Sequence, residues 1–484
     1  MKTMNHRIKL DSLARHGRAS LVLPGALLLL GIGAASGCRG PADGGARPAP
    51  SSGEAPASEA PSEEAALRKY ERFGYYPARA RYDEGFRIKD IATTGMAGRL
   101  TVLAYGFGSI DPSTLTCHDT GGGDTYVDYR KPFDAESSVG GVADPAVEDV
   151  PGGGGPLRGN FNQLKQLKAQ FPHLKVVISL GGRASSELFS DIAATDASRR
   201  KFVSSCIDLY IRGNLPAAHG SGGPGSASGV FDGFDLAWQW PADKANHALL
   251  LQELRRQLDE LAGSSRYLLT TLLPADPARI AAGIDLGSVF QAVDFGNVQA
   301  YDFHGPWEPR RTYHHAQLAT SPSDPTLASA RLSGDGAIHA YLSAGVAPDR
   351  LTLGLPLYGY GWTGVCKGLE DGLFQEASGV ASGTTKPGTA PVKELLRQFA
   401  PEQLEPGAQV ADPKDYLVYD PVAIAAYGYN GSTFWSFDDA DILEIKAAYI
   451  QTKGLRGAML WSLDGDDGSL VRVLDRTLNA NLSE

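Results

Sequence analysis

From residue 67 onward, short apolar or aromatic runs alternate with amphipathic stretches. The runs fall at 72–76, 100–107, 175–180, 234–238, 267–272, 295–300, 351–354 and 458–461. Short continuous apolar runs of this kind read as strands buried on both faces. The stretches at 161–170, 198–210, 247–261 and 442–452 carry helical spacing instead. In the third, Leu250, Leu251, Leu254, Leu258 and Leu261 share one helical face. Strands alternating with helices predict a parallel sheet covered by helices. Eight is also the number that closes a TIM barrel, so the α/β class with (β/α)8 architecture is expected over 67–476. Two regions interrupt the alternation. One is a Gly/Asp-rich loop at 117–159; the other, at 361–437, has the size of a small subdomain inserted before the last strand.

The first 66 residues differ in kind. Lys2, Arg7, Lys9, Arg15 and Arg18 precede an apolar run at 21–32, which ends in Gly33-Ala34-Ala35-Ser36-Gly37-Cys38. Basic, apolar, then small residues is the order of an export signal, and the run is short for a bilayer span. The residues before Cys38 resemble a bacterial lipobox, which implies lipidation of Cys38 and a membrane-anchored lipoprotein, periplasmic or at the cell surface. The alternative is an ordinary cleaved signal and a secreted protein. Residues 39–66 are Pro, Ala, Gly, Ser and Glu with no apolar periodicity, which predicts a disordered linker.

Composition adds exclusions. The chain is 42% hydrophobic and 21% charged, with net charge −10. That balance disfavours nucleic acid, acidic membrane surfaces and acidic polysaccharides, and leaves a neutral ligand as the expected partner. Cys38, Cys117, Cys206 and Cys366 show no C-x-x-C spacing, and the histidines, including His314 and His315, show no H-E-x-x-H spacing. Asp464-Gly465-Asp466-Asp467-Gly468 lacks the ligand spacing of a calcium loop. No metal or cofactor is expected.

The segment Phe231-Asp232-Gly233-Phe234-Asp235-Leu236-Ala237-Trp238-Gln239-Trp240-Pro241 resembles the fourth-strand signature of glycoside hydrolase family 18, D-G-x-D-x-D-W-E. Ser179-Leu180-Gly181-Gly182, Tyr301-Asp302-Phe303-His304-Gly305, Leu355-Pro356-Leu357-Tyr358-Gly359 and Gly457-Ala458-Met459-Leu460-Trp461-Ser462 resemble other family segments, in order. Tyr419-Asp420-Pro421 and Phe434-Trp435-Ser436-Phe437-Asp438-Asp439 are similar to the family's small α+β insertion. The resemblance implies hydrolysis of β-1,4 links between N-acetylglucosamine units, in which the sugar's own acetamido oxygen attacks the anomeric carbon. The Glu at the position of 239 is the acid, the Asp at 237 orients the acetamido group, and the Asp at 235 supports it.

Alternate strand residues project to one side, so 235, 237 and 239 enter the barrel together. Here 239 is Gln and 237 is Ala. An amide is no acid near neutral pH, and losing general-acid catalysis alone costs ~10²–10⁴ in rate. The resemblance further assigns Tyr301 to the acetamido oxygen, Asp302 beside it, and Trp461 as the apolar floor. Trp307 is weighed equally between sugar stacking and plain surface, and Trp435 between groove wall and insertion core. Trp238 is read as barrel–helix core and Asp232 as a turn residue. Gln299 stands where the family usually has Met, and Arg183 where Trp is frequent. The expected function is a chitinase-like protein that binds chitin oligosaccharides with catalysis lost or strongly impaired. The alternatives are an active chitinase with another acid, for which Glu308 is the candidate, and a protein-binding scaffold with a vestigial groove.

Overall fold

The protein is described by a computed structural model. It describes residues 69–480 except 79, 81–84, 119–124, 147–152, 262–265 and 405–414. The predicted export signal, Cys38 and the linker therefore lie outside the described residues.

Eight parallel strands close a barrel: β1 (Glu71–Pro77), β2 (Val102–Gly108), β3 (Lys175–Gly181), β4 (Gly233–Ala237), β5 (Leu268–Leu273), β6 (Phe295–Val298), β7 (Leu351–Pro356) and β8 (Gly457–Trp461). Each pairs with the next, and β8 closes on β1 with Glu71 opposite Gly457. All eight overlap the predicted runs. At β6 the chain leaves the sheet two residues early, after Val298, although Gln299 N–H still donates to Leu273 O at 2.9 Å. The period of two sorts the side chains as strand geometry demands. Phe73, Tyr75, Val102, Ala104, Val177, Ala237, Leu272 and Met459 fill the barrel. Phe234, Leu236 and Trp238 face outward under the helices.

The predicted helices appear as Gly159–Gln170, Asp196–Cys206, Lys244–Leu261 and Ala440–Lys453. The second does not run on as a regular helix to 210; it widens into a π-type turn over Ile207–Ile211. In the third, Leu250, Leu251, Leu254 and Leu258 are buried, each contributing about 1.5–3 kcal/mol of apolar burial. Two helices after β5, Pro277–Gly283 and Leu286–Ala292, escaped periodicity because each spans only two turns. Asp276 and Asp285 cap them by accepting from Ala278 N–H and Ser288 N–H.

The insertion is an antiparallel sheet in the order Gly379–Val380, Tyr358–Thr363, Thr433–Phe437, Ala425–Tyr429, Tyr416–Asp420, with Thr389–Pro391 also on the second strand and the helix Val392–Phe399 alongside. It starts at 358 rather than 361, because the chain enters it one residue after β7 ends. Asp438 and Asp439 explain the paired aspartates at its end. Asp438 forms a buried ion pair with Lys446, which also donates to Ala316 O, and Asp439 caps the following helix through Ile442 N–H. Cys117 and Cys206 form a disulfide, and Cys366 is a free, exposed thiol. Among the described residues no helix is long and apolar enough to cross a membrane.

Candidate functional site

A cavity of about 440 Å³ opens at the carboxyl ends of the barrel strands, partly roofed by the insertion. Barrel enzymes keep their sites on this face. Ala237, Gln239, Gln299, Tyr301, Asp302 and Trp461 all lie on its walls.

Asp235 is fully buried inside the barrel. Its Oδ2 accepts from Tyr75 OH and Ser179 Oγ, and its Oδ1 from Thr270 Oγ1, each at 2.7 Å. The partner that sequence reading could not name is thus a set of three hydroxyls from β1, β3 and β5. Burial pushes the Asp235 carboxyl up, and the hydroxyls of Ser179, Thr270 and Tyr75 pull part of that back.

Above it, Ala237 presents only a methyl. The backbone there is held by Gly182 N–H donating to Ala237 O at 2.9 Å. The double glycine makes this approach feasible. Gly181 and Gly182 have φ of +110° and +70°, and a Cβ on Gly182 would sit 2.6 Å from the Phe107 ring.

Gln239 begins a chain of hydrogen bonds. Its Nε2 donates to Gln299 Oε1 at 2.8 Å, and Gln299 Nε2 donates to Asp302 Oδ2 at 3.1 Å. Tyr358 OH donates to Asp302 Oδ1. Asp302 adopts φ +61°, which turns the chain at the end of β6; Asp tolerates that region better than most residues. Burial pushes the Asp302 carboxyl up, against the hydroxyls of Tyr358 and Tyr360 and the charges of Lys386 and Arg183. The Tyr301 phenol, held high by burial, has Met459 Sδ at 3.7 Å as its hydrogen-bond partner. Trp461 stacks on Phe107 at 5.9 Å and tilts against Tyr75 at 5.0 Å, leaving its ring on the cavity wall. The cavity can therefore offer an apolar floor, a phenol donor and amide groups, with neither 237 nor 239 supplying a carboxylate.

The profile of Glycosyl hydrolases family 18 matches residues 71–466. The chain belongs to glycosyl hydrolase family 18. It is 32% identical over 473 residues to Chitinase A1 of Niallia circulans, covering 87% of this chain and 60% of that protein. It is 30% identical to Chitinase C of Streptomyces lividans, covering 82% of this chain and 57% of the other. The chain thus spans only about three fifths of the length of these relatives. Among solved structures, the catalytic domain of the psychrophilic chitinase B from Arthrobacter TAD20 matches with TM-score 0.78 and 39% identity, over 86% of this chain and 97% of that one. A class V chitinase from Nicotiana tobaccum, solved as a Glu-to-Gln mutant in complex with NAG4, matches with TM-score 0.62 and 25% identity, over 85% and 99% of the two chains. This family 18 chain is chitinase-like in fold and sequence.

Other predicted residues fall elsewhere. Trp307 is 54% exposed, edge-on to Tyr360, and off the cavity wall. Trp435 is buried against Gly361 in the insertion core. Trp238 packs between Phe189 and His247, as read from the strand period. Asp232 accepts from Val176 N–H and pairs with Lys168 at 2.9 Å, so it pins the entry of β4. Glu308 does not line the cavity; its Oε2 lies 2.9 Å from His304 Nδ1. His314 pairs with Asp420, and His315 is packed against Tyr358 and Tyr360, its pKa pushed down to about 3 by burial. Asp466 anchors the helix Ser469–Asn479 through Leu470 and Val471 N–H. Among the described residues no group of three or more His, Cys, Asp or Glu is gathered for a metal. Sequence reading missed Tyr75, Thr270, Tyr360 and Lys386 as site residues. None carries a local signal, since each gains its role only across strands or from the insertion.

Proposed function

We propose that this family 18 protein binds chitin or N-acetylglucosamine oligosaccharides in the barrel-end cavity, with substrate-assisted hydrolysis lost or strongly impaired. The observation that carries the reading is the pair Ala237 and Gln239: a methyl and a hydrogen-bonded amide at the positions that the family pattern gives to two carboxylates. Tyr301, Asp302 and Trp461 remain on the wall to receive an acetamido sugar. A tobacco chitinase carrying a Glu-to-Gln change was solved in complex with NAG4, so such a change is compatible with binding in that relative. The test is titration with chitotetraose, read by tryptophan fluorescence, beside hydrolysis of a fluorogenic N-acetylglucosamine oligomer. Saturable quenching without turnover is expected; absence of any response removes the reading.

The second reading is an active chitinase with a displaced acid. Asp302 favours it over Glu308, because its carboxyl lies on the cavity wall and is pushed up by burial. Under that reading wild-type turnover disappears in Asp302→Asn and persists in Glu308→Gln. Anchoring through a lipidated Cys38 belongs to the proposal as well; it predicts that the full chain partitions into detergent and Cys38→Ala does not.

A further inference from the structure

The mouth of the cavity carries two cations that the oligosaccharide reading does not use. Arg183 follows the double glycine at the end of β3, and Lys386 comes from the loop of the insertion on another wall. Both are exposed, and neither side chain makes a hydrogen bond or ion pair among the described residues. Their backbones are nevertheless fixed. Ser185 N–H closes a turn onto Gly182 O, and Thr389 N–H closes one onto Lys386 O. Gly361 N–H donates to Gly388 O, which ties the Lys386 loop to the insertion sheet. Both residues line the cavity that holds Asp302, and both positive charges pull its carboxyl down against the effect of burial.

That carboxyl does not consume them. Asp302 already accepts from Tyr358 and Gln299, and Asp464, the other carboxylate on the wall, accepts from Ser462 Oγ. The family pattern would add two further carboxylates at 237 and 239, and an anionic ligand would meet their repulsion. Here those positions are neutral. A neutral sugar chain has no need of two unpaired cations at the rim. The net charge of −10 does not decide the matter, since charges beyond about 8 Å are screened at physiological salt.

We propose that the preferred ligand is an N-acetylated glycan that also carries a carboxylate, with Arg183 and Lys386 holding that carboxylate at the cavity mouth. The proposal rests on the oligosaccharide-binding reading and narrows its substrate class. It also replaces the neutral ligand expected from net charge alone. A carboxylate of this kind occurs as the lactyl ether of N-acetylmuramic acid and as a uronic acid alternating with N-acetylglucosamine.

The test compares three probes on the full chain by tryptophan fluorescence at low and high salt. They are chitotetraose, the tetrasaccharide of alternating N-acetylglucosamine and N-acetylmuramic acid, and the hyaluronan tetrasaccharide. Two exposed ion pairs predict a preference for an acidic probe over chitotetraose of about threefold to tenfold at low salt. That ratio shrinks with added salt and approaches one in Arg183→Gln/Lys386→Gln. Which acidic probe is preferred identifies the source of the carboxylate. Chitotetraose binding at least as tightly as both acidic probes overturns the proposal and leaves oligosaccharide binding standing. A preference that survives the double variant also overturns it. If none of the three binds, this proposal and the oligosaccharide reading fall together.

Discussion

Restoring the two missing carboxylates is the sharpest perturbation. In Ala237→Asp/Gln239→Glu, position 239 regains an acid and position 237 a charge partner for the acetamido group. Loss of general-acid catalysis costs ~10²–10⁴, and loss of electrostatic stabilisation ~10²–10³. The two act on one transition state and do not simply multiply, so a gain of about 10³-fold or more over wild type is expected. The structure adds a complication. Gln239 Nε2 now donates to Gln299 Oε1 at 2.8 Å. A carboxylate at 239 sets two acceptors face to face, and Gln299 must flip. Its oxygen then meets Asp302 Oδ2, which the Gln299 amide now contacts at 3.1 Å. The clash is relieved if Asp302 holds a proton, which burial favours, or while the new carboxyl at 239 keeps its own proton and donates to Gln299 Oε1. Leaving an acceptor unsatisfied costs about 1–3 kcal/mol. Gln299→Met removes the conflict, so the triple variant should exceed the double. The assay is release of a fluorogenic leaving group from an N-acetylglucosamine oligomer, with all variants checked for chitotetraose binding. Wild-type turnover within about tenfold of the triple variant would refute the reasoning, because an acid must then act from elsewhere.

Three further outcomes are expected. Burial and the neighbouring Asp441 push Asp439 up to about 6, so folding holds its proton; that contribution is complete below about pH 4 and is lost as pH rises through 6. The stability gap between Asp439→Asn and wild type should therefore move in the variant's favour over that interval, by at most about 3 kcal/mol, in urea titrations at stepped pH. Lys446→Ala strands Asp438 as a buried charge and should lower unfolding stability by about 3–5 kcal/mol, measured by denaturant unfolding. Trp461→Ala removes the cavity's apolar floor and should weaken chitotetraose binding about tenfold or more; unchanged affinity in calorimetry would refute Trp461 as the sugar platform.

The barrel was legible because a parallel strand buried on both faces is apolar at most of its positions, and eight such runs stand out in one chain. The long helices were legible because a buried stripe of leucines repeats every three to four residues. The family segments marked Gln239, Ala237, Tyr301, Asp302 and Trp461, and all five line one cavity. What the sequence left open depends on contacts between distant strands. Asp235 finds Tyr75, Ser179 and Thr270 only once β1, β3, β4 and β5 close around one axis. The amide chain from Gln239 to Asp302 needs β4 and the end of β6 at a set separation. Whether Trp307, Trp435 and Glu308 reach the site was decided by packing of the insertion, which no local pattern encodes. Linear periodicity fixes which face of an element is buried; the partners that a buried polar group meets are set by closure of the barrel and docking of the insertion.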